Sequence, residues 1–243
     1  MLLYHGSNLA VEKPRLMEQR RGLDFGTGFY LTSSETQAER FSEVVANRTK
    51  SGIPTVGVYE FDIETAERTL AVLRFESADA QWLRFITDNR LKTYKGDVHD
   101  VVIGAVANDK VMPTIQAFLG GFISGEAALV TLKTSRLIDQ VCLKSEKALS
   151  LLRFVKSFEA KAGVAMDNIS PVLTMITPGI INLLMENRKL SLEEASALLY
   201  NSQLYKALED EKTKVWRLGY PLLYDLLDEE LTTGKVTYPE EQL

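Results

Sequence analysis

Two glycines one residue apart constrain this chain more than any other feature. They stand in Leu23-Asp24-Phe25-Gly26-Thr27-Gly28-Phe29-Tyr30-Leu31-Thr32. The spacing of Gly26 and Gly28 suits a tight turn or a close approach of backbone to a ligand. Phe29, Tyr30, Leu31 and Thr32 are good strand formers. From Ser34 to Lys50 the pattern is helical, with no glycine or proline until Gly52. The stretch therefore predicts turn, strand and helix in succession, with Tyr30 at the exit of the turn. The same residues would also serve a purely structural turn ahead of a packed strand.

Around this stretch the chain reads as alternating strands and helices up to about residue 155. Leu2 to Ser7 predicts a short strand with His5 at its carboxyl end and Gly6 able to approach a ligand. Val11 to Gly22 is a polar connection carrying Arg15, Arg20 and Arg21. Val56–Ile63 alternates as a strand, and Ser77 to Arg90 places Trp82, Phe85 and Ile86 on one helical face. His99 to Val106 is almost continuously apolar and predicts a buried strand, ended by the turn formers Asn108 and Asp109. Met112 to Leu132 predicts two short helices, Ile138–Leu143 a strand, and Ser145 the cap of a helix to about Val155. Beyond Lys156 strand-like alternation fades and helices dominate. Ser191-Leu192-Glu193-Glu194 forms a capping box, while Pro178-Gly179 and Gly219-Tyr220-Pro221 mark breaks. The expected domains are 1–155 and 156–243.

Composition limits the chemistry. Of 243 residues, 45% are hydrophobic and 25% charged, the balance of a globular chain. A formal charge of -5 advertises no nucleic-acid face. One cysteine, Cys142, excludes an internal disulfide, and two histidines leave little for a metal centre, so no metal is expected. No leader pattern or bilayer-length apolar run is present, which predicts a cytoplasmic protein with no membrane partner.

Tyr4-His5-Gly6-Ser7 and Gly26-Thr27-Gly28-Phe29-Tyr30-Leu31, in this order, resemble the opening motifs of ADP-ribosyltransferases of the diphtheria-toxin and poly(ADP-ribose) polymerase type. Val102-Ile103-Gly104-Ala105-Val106-Ala107-Asn108-Asp109 is similar to a run in an uncharacterised bacterial branch of that clan. The resemblance covers roughly residues 1 to 153. It implies an α+β fold, an ADP-ribosyltransferase-like mixed sheet with helices, followed by an all-α C-terminal domain that is an accessory or interaction module. It implies NAD as co-substrate and a His-Tyr-Glu triad whose positions match His5, Tyr30 and Gln140. By the resemblance His5 bonds the adenosine ribose and the Gly6 backbone holds the nicotinamide amide. Ser7, Gly26, Gly28 and Asn108 join the dinucleotide site, and Tyr30 stacks on the nicotinamide. Arg20 or Arg21 would pair with the pyrophosphate.

Gln140 departs from the pattern, which has glutamate there. Glutamine keeps a hydrogen bond and loses a charge, which points to mono-ADP-ribosyl transfer or NAD hydrolysis rather than polymer synthesis. The acceptor is unidentified, a protein rather than a nucleic acid given the acidic balance. The alternative is a non-catalytic module that binds NAD, ADP-ribose or a protein partner through a degenerate triad. Each residue also has a plain structural use: His5 as a core histidine, Tyr30 as a core aromatic, Gln140 as a solvated strand residue. Asp139, next along the strand, is expected on the opposite face from Gln140.

Overall fold

A computed structural model describes residues 1–16, 22–96, 98–106, 111–133, 138–160 and 170–239. Within them the chain is a mixed α and β structure with two small sheets. The first half contains β1 (Leu2–Ser7), β2 (Phe29–Leu31), α1 (Glu35–Thr49), β3 (Thr55–Phe61), α2 (Ile63–Thr69), β4 (Val72–Arg74), α3 (Ala80–Arg90) and β5 (Val101–Ala105). There follow α4 (Met112–Leu119), α5 (Gly125–Lys133), β6 (Asp139–Leu143), α6 (Glu146–Leu149) and β7 (Leu152–Glu159). The rest is helical where described: α7 (Ser170–Arg188), α8 (Leu192–Tyr200), α9 (Gln203–Glu209) and α10 (Tyr220–Thr233). Two short 3-10 turns, Glu211–Thr213 and Val215–Arg217, lie between α9 and α10.

One sheet has the order β1-β3-β7 and is antiparallel. The other has the order β2-β6-β5-β4, antiparallel except for the β4–β5 pair, which α3 connects. A single bridge between Tyr4 and Thr32 joins them, with N–H to O distances of 2.8 and 3.0 Å. Past that bridge β1 and β2 part.

Alternation along the strands assigns each face. Phe29, Leu31, Val101, Ile103, Val141 and Leu143 pack with Leu3, Tyr59 and Phe61 in the core between the sheets. Val102 and Cys142 take the other face, in a larger core with Phe25, Trp82, Ile86 and the C-terminal helices. Tyr30 pairs with Cys142 across β2 and β6, so Tyr30 and Gln140 share that helical face.

Local chemistry explains the element ends. Ser34 caps α1, its Oγ accepting from the Gln37 amide at 3.3 Å. Ser191 and Glu194 close the expected capping box at the start of α8. Two expectations are corrected. The helix predicted from Ser145 to Val155 stops after one turn at Leu149, because Phe154, Phe158 and their neighbours pair with β3 instead. Strand β7 therefore runs across residue 155, and the change of texture falls beyond Glu159. Pro178-Gly179 does not break a helix either, since both lie inside α7. A Cβ on Gly179 would stand 2.6 Å from Cγ of Tyr220, so this glycine lets α10 pack closely.

Candidate functional site

Where β1 and β2 separate they leave a cleft of about 200 Å³. His5, Gly6, Gly28, Tyr30 and Gln140 all line it. The His5 ring lies 4.4 Å from the Phe29 ring, and its Nδ1 donates to the Tyr30 carbonyl at 2.7 Å. Burial lowers the His5 pKa from 6.5 to about 4, opposed by that hydrogen bond, so the ring is neutral at pH 7. The tautomer that protonates Nδ1 leaves Nε2 a bare acceptor. Nε2 is buried and has no partner among the described residues. The Gln140 Oε1 is in the same condition. An unmade bond at a buried polar group costs about 1–3 kcal/mol. Such groups point to a missing partner, and here two acceptors from two sheets border one cavity.

Tyr30 is placed by its own turn. Its hydroxyl accepts from the Phe25 amide at 3.1 Å and donates to the Gly26 carbonyl. Its ring stacks on Phe25 with centroids 6.4 Å apart. Burial pushes its pKa well above 10, helped by the neighbouring Cys142 thiol and Asp24. Lys144 donates to the Phe25 carbonyl, and burial lowers its pKa. Gly26 adopts φ +74, which the turn requires, and it does not line the cleft. Gly28 does, and a Cβ there would meet Cys142 Sγ at 2.4 Å.

Gly6 has a structural reason as well as a place in the lining. A Cβ would come within 2.1 Å of the Ala38 carbonyl, so its absence lets α1 lie against β1. Ser7 does not line the cleft. It is buried, pairs with Thr55, and its hydroxyl donates to Asn8 Oδ1 at 3.4 Å. Arg20, Arg21 and Asn108 lie outside the described residues.

Sequence reasoning missed much of the charged lining, namely Arg48, Arg90 and Arg217 with Asp24, and had set Asp139 on the face opposite Gln140. Arg90 and Asp24 are a buried ion pair with Nε to Oδ1 at 2.6 Å. Asp139 also borders the cleft, despite the alternation that sets it opposite Gln140. It opens β6 and its Oδ1 accepts from the Ser33 hydroxyl at 2.5 Å and the Ser33 amide at 3.2 Å. No signal in the sequence brings residues 48, 90 and 217 together.

One family profile, described as a protein of unknown function (DUF3990), matches residues 1–154, more than half of the chain. The chain belongs to the DUF3990 family. Comparisons with curated proteins and with solved structures returned no match. The DUF3990 match spans both sheets up to β7 and contains the whole of the lining except Arg217, Leu218 and Pro239. Among the described residues no group of three or more His, Cys, Asp or Glu could hold a metal ion, and no helix is long and apolar enough to cross a membrane.

Proposed function

We propose that the cleft receives the nicotinamide-ribose end of NAD and that the chain transfers one ADP-ribose to an acceptor. The observation that carries this reading is the meeting of His5, Tyr30 and Gln140 at one cavity, with bare acceptors on the first and last. Pockets for drug-sized ligands occupy about 300–1,000 Å³. About 200 Å³ suits one ring system rather than a whole dinucleotide, so the remainder lies along the opening. A bound NAD supplies a glycosidic bond that releases nicotinamide with its electron pair and leaves positive charge developing on the sugar. His5 Nε2 and Gln140 Oε1 each accept a ribose hydroxyl, and the Tyr30 ring forms the face against which the nicotinamide packs. Asp139, oriented by Ser33, takes the proton that the acceptor loses on bonding to the sugar carbon.

A neutral amide at position 140 also favours a second reading, a binding module with little turnover. Nicotinamide release by wild type and Gln140→Glu, measured beside NAD titration calorimetry, separates the two. A carboxylate there would stabilise the developing cation by about 2.7–4 kcal/mol, roughly a hundred- to thousand-fold in rate, less whatever burial removes by raising its pKa. The expected result is NAD binding by both chains with faster release by the variant. Equal rates with intact binding favour the module, and an absence of NAD binding removes both readings.

A further inference from the structure

The segment Thr213–Arg217 is held against the first half of the chain by its carbonyls. Arg48 donates from Nε to Thr213 O at 2.5 Å and from Nη2 to Lys214 O at 2.9 Å. Gln116 Nε2 donates to Trp216 O at 3.3 Å, and Arg90 Nη1 to Arg217 O at 2.8 Å. Four carbonyls in a five-residue segment are thus fixed by side chains from three helices. One of these grips has a second end. The Arg90 guanidinium also holds Asp24 Oδ1, from Nε at 2.6 Å and from Nη2 at 2.5 Å. Each of its three nitrogens therefore has a protein partner, and both Arg90 and Asp24 are buried.

Asp24 stands in the turn that the Gly26 amide closes on Leu23 O at 3.0 Å. The same turn sets Tyr30, whose hydroxyl accepts from the Phe25 amide and donates to the Gly26 carbonyl. The end of α3 backs this turn at two more points. A Cβ on Gly22 would stand 2.5 Å from the Arg90 carbonyl, and one on Gly26 2.8 Å from Asn89 Oδ1. We propose that Arg90 is a positioning residue, which makes the placement of the Tyr30 ring depend on the segment Thr213–Arg217. Only its effect on turnover rests on the NAD reading. The path is short: Arg217 O, the Arg90 guanidinium, the Asp24 carboxylate, the backbone of the turn, the Tyr30 hydroxyl. Arginine suits this joint because its planar fork bonds a carboxylate and a carbonyl at once, in fixed directions. Asp24, Tyr30 and Arg90 lie inside the DUF3990 match and Arg217 beyond it, so the helical half takes part in shaping a cleft lined mostly by the first half.

The test uses the whole chain labelled with 3-fluorotyrosine, the Tyr30 fluorine signal being identified by its loss in Tyr30→Phe. That signal without ligand, the melting temperature and nicotinamide release from NAD are read for each variant. Arg90→Met strands a buried carboxylate and should lower the melting temperature, whereas Asp24→Asn/Arg90→Met leaves no buried charge alone and should regain most of it. In both, the Tyr30 signal should be displaced and nicotinamide release should fall about ten- to a hundred-fold, the scale of a small misplacement at a reacting centre. Gln116→Leu loosens the segment from a different helix. It should displace the Tyr30 signal by itself and add nothing to Arg90→Met. The proposal is overturned if the double variant regains signal and release along with stability, which is how a plain structural pair behaves. It is equally overturned if Gln116→Leu leaves the signal unmoved, or moves it as much without Arg90. If nicotinamide is never released but the signals behave as described, the positioning role stands and the transfer reading falls. Release by wild type with a Tyr30 signal indifferent to Arg90 does the reverse.

Discussion

His5 is the residue whose environment has the most direct thermodynamic consequence. Its pKa is lowered from 6.5 to about 4 by burial. The folded state therefore binds fewer protons than the unfolded state between those values, and stability falls as pH falls through that window. Above pH 6.5 the stability is fully present; below about 4 the loss is complete. A shift of this size is about 3 kcal/mol in total. Urea unfolding of wild type and His5→Asn at pH 7 and pH 4 should show wild type losing about 3 kcal/mol more than the variant. Equal losses would mean that His5 titrates normally in the folded chain. The same neutrality suits a ring that accepts a hydroxyl, since imidazolium could only donate.

Among the elements, β1 and α1 approach closely at Gly6. Gly6→Ala would drive a methyl to 2.1 Å from the Ala38 carbonyl, and overpacking of this kind costs about 1–3 kcal/mol. Gly125→Ala is the control, because the nearest atom there is 3.6 Å away; thermal melts should show the first destabilised and the second unchanged or slightly improved. This contact also marks what sequence can and cannot reveal. Strong alternation and caps were legible: β1, β2, β3, β5 and β6, the helix after Ser34 and the capping box at Ser191 all lie where the residue pattern places them. Strand β7 was not, because Ser145 does start a helix and nothing local says that it ends at Leu149. Pairing with β3 decides that, over a separation of about a hundred residues. Pro178-Gly179 misled for a similar reason, since the Tyr220 ring fills the space above Gly179 from a distant helix. His5, Tyr30 and Gln140 could be chosen from motifs and strand ends, whereas Arg48, Arg90 and Arg217 meet through tertiary packing alone.

Across the whole molecule one apolar core runs from Phe25, Trp82 and Cys142 to Ile176, Leu184, Leu199, Trp216 and Leu227. A chain ending at residue 160 would keep all seven of the described strands and lose the helices that cover this core. Uncovered apolar area of that kind drives association. Size-exclusion chromatography and dye binding should show the shortened chain aggregated and without a cooperative melt, whereas a monomeric, cooperatively melting chain would show the helices to be separable. The carbonyl clamp on Thr213–Arg217 has a consequence of another sort. Arg48, Gln116 and Arg90 grip peptide oxygens, which every residue type presents alike. The grip on the Arg217 carbonyl is thereby indifferent to the side chain at that position, whereas Lys214, Val215 and Trp216 are buried and fixed by their own packing. A relative could exchange Arg217 for a different group and keep the same wall, so the preference of the cleft can diversify by single substitutions while the architecture around it stays constant.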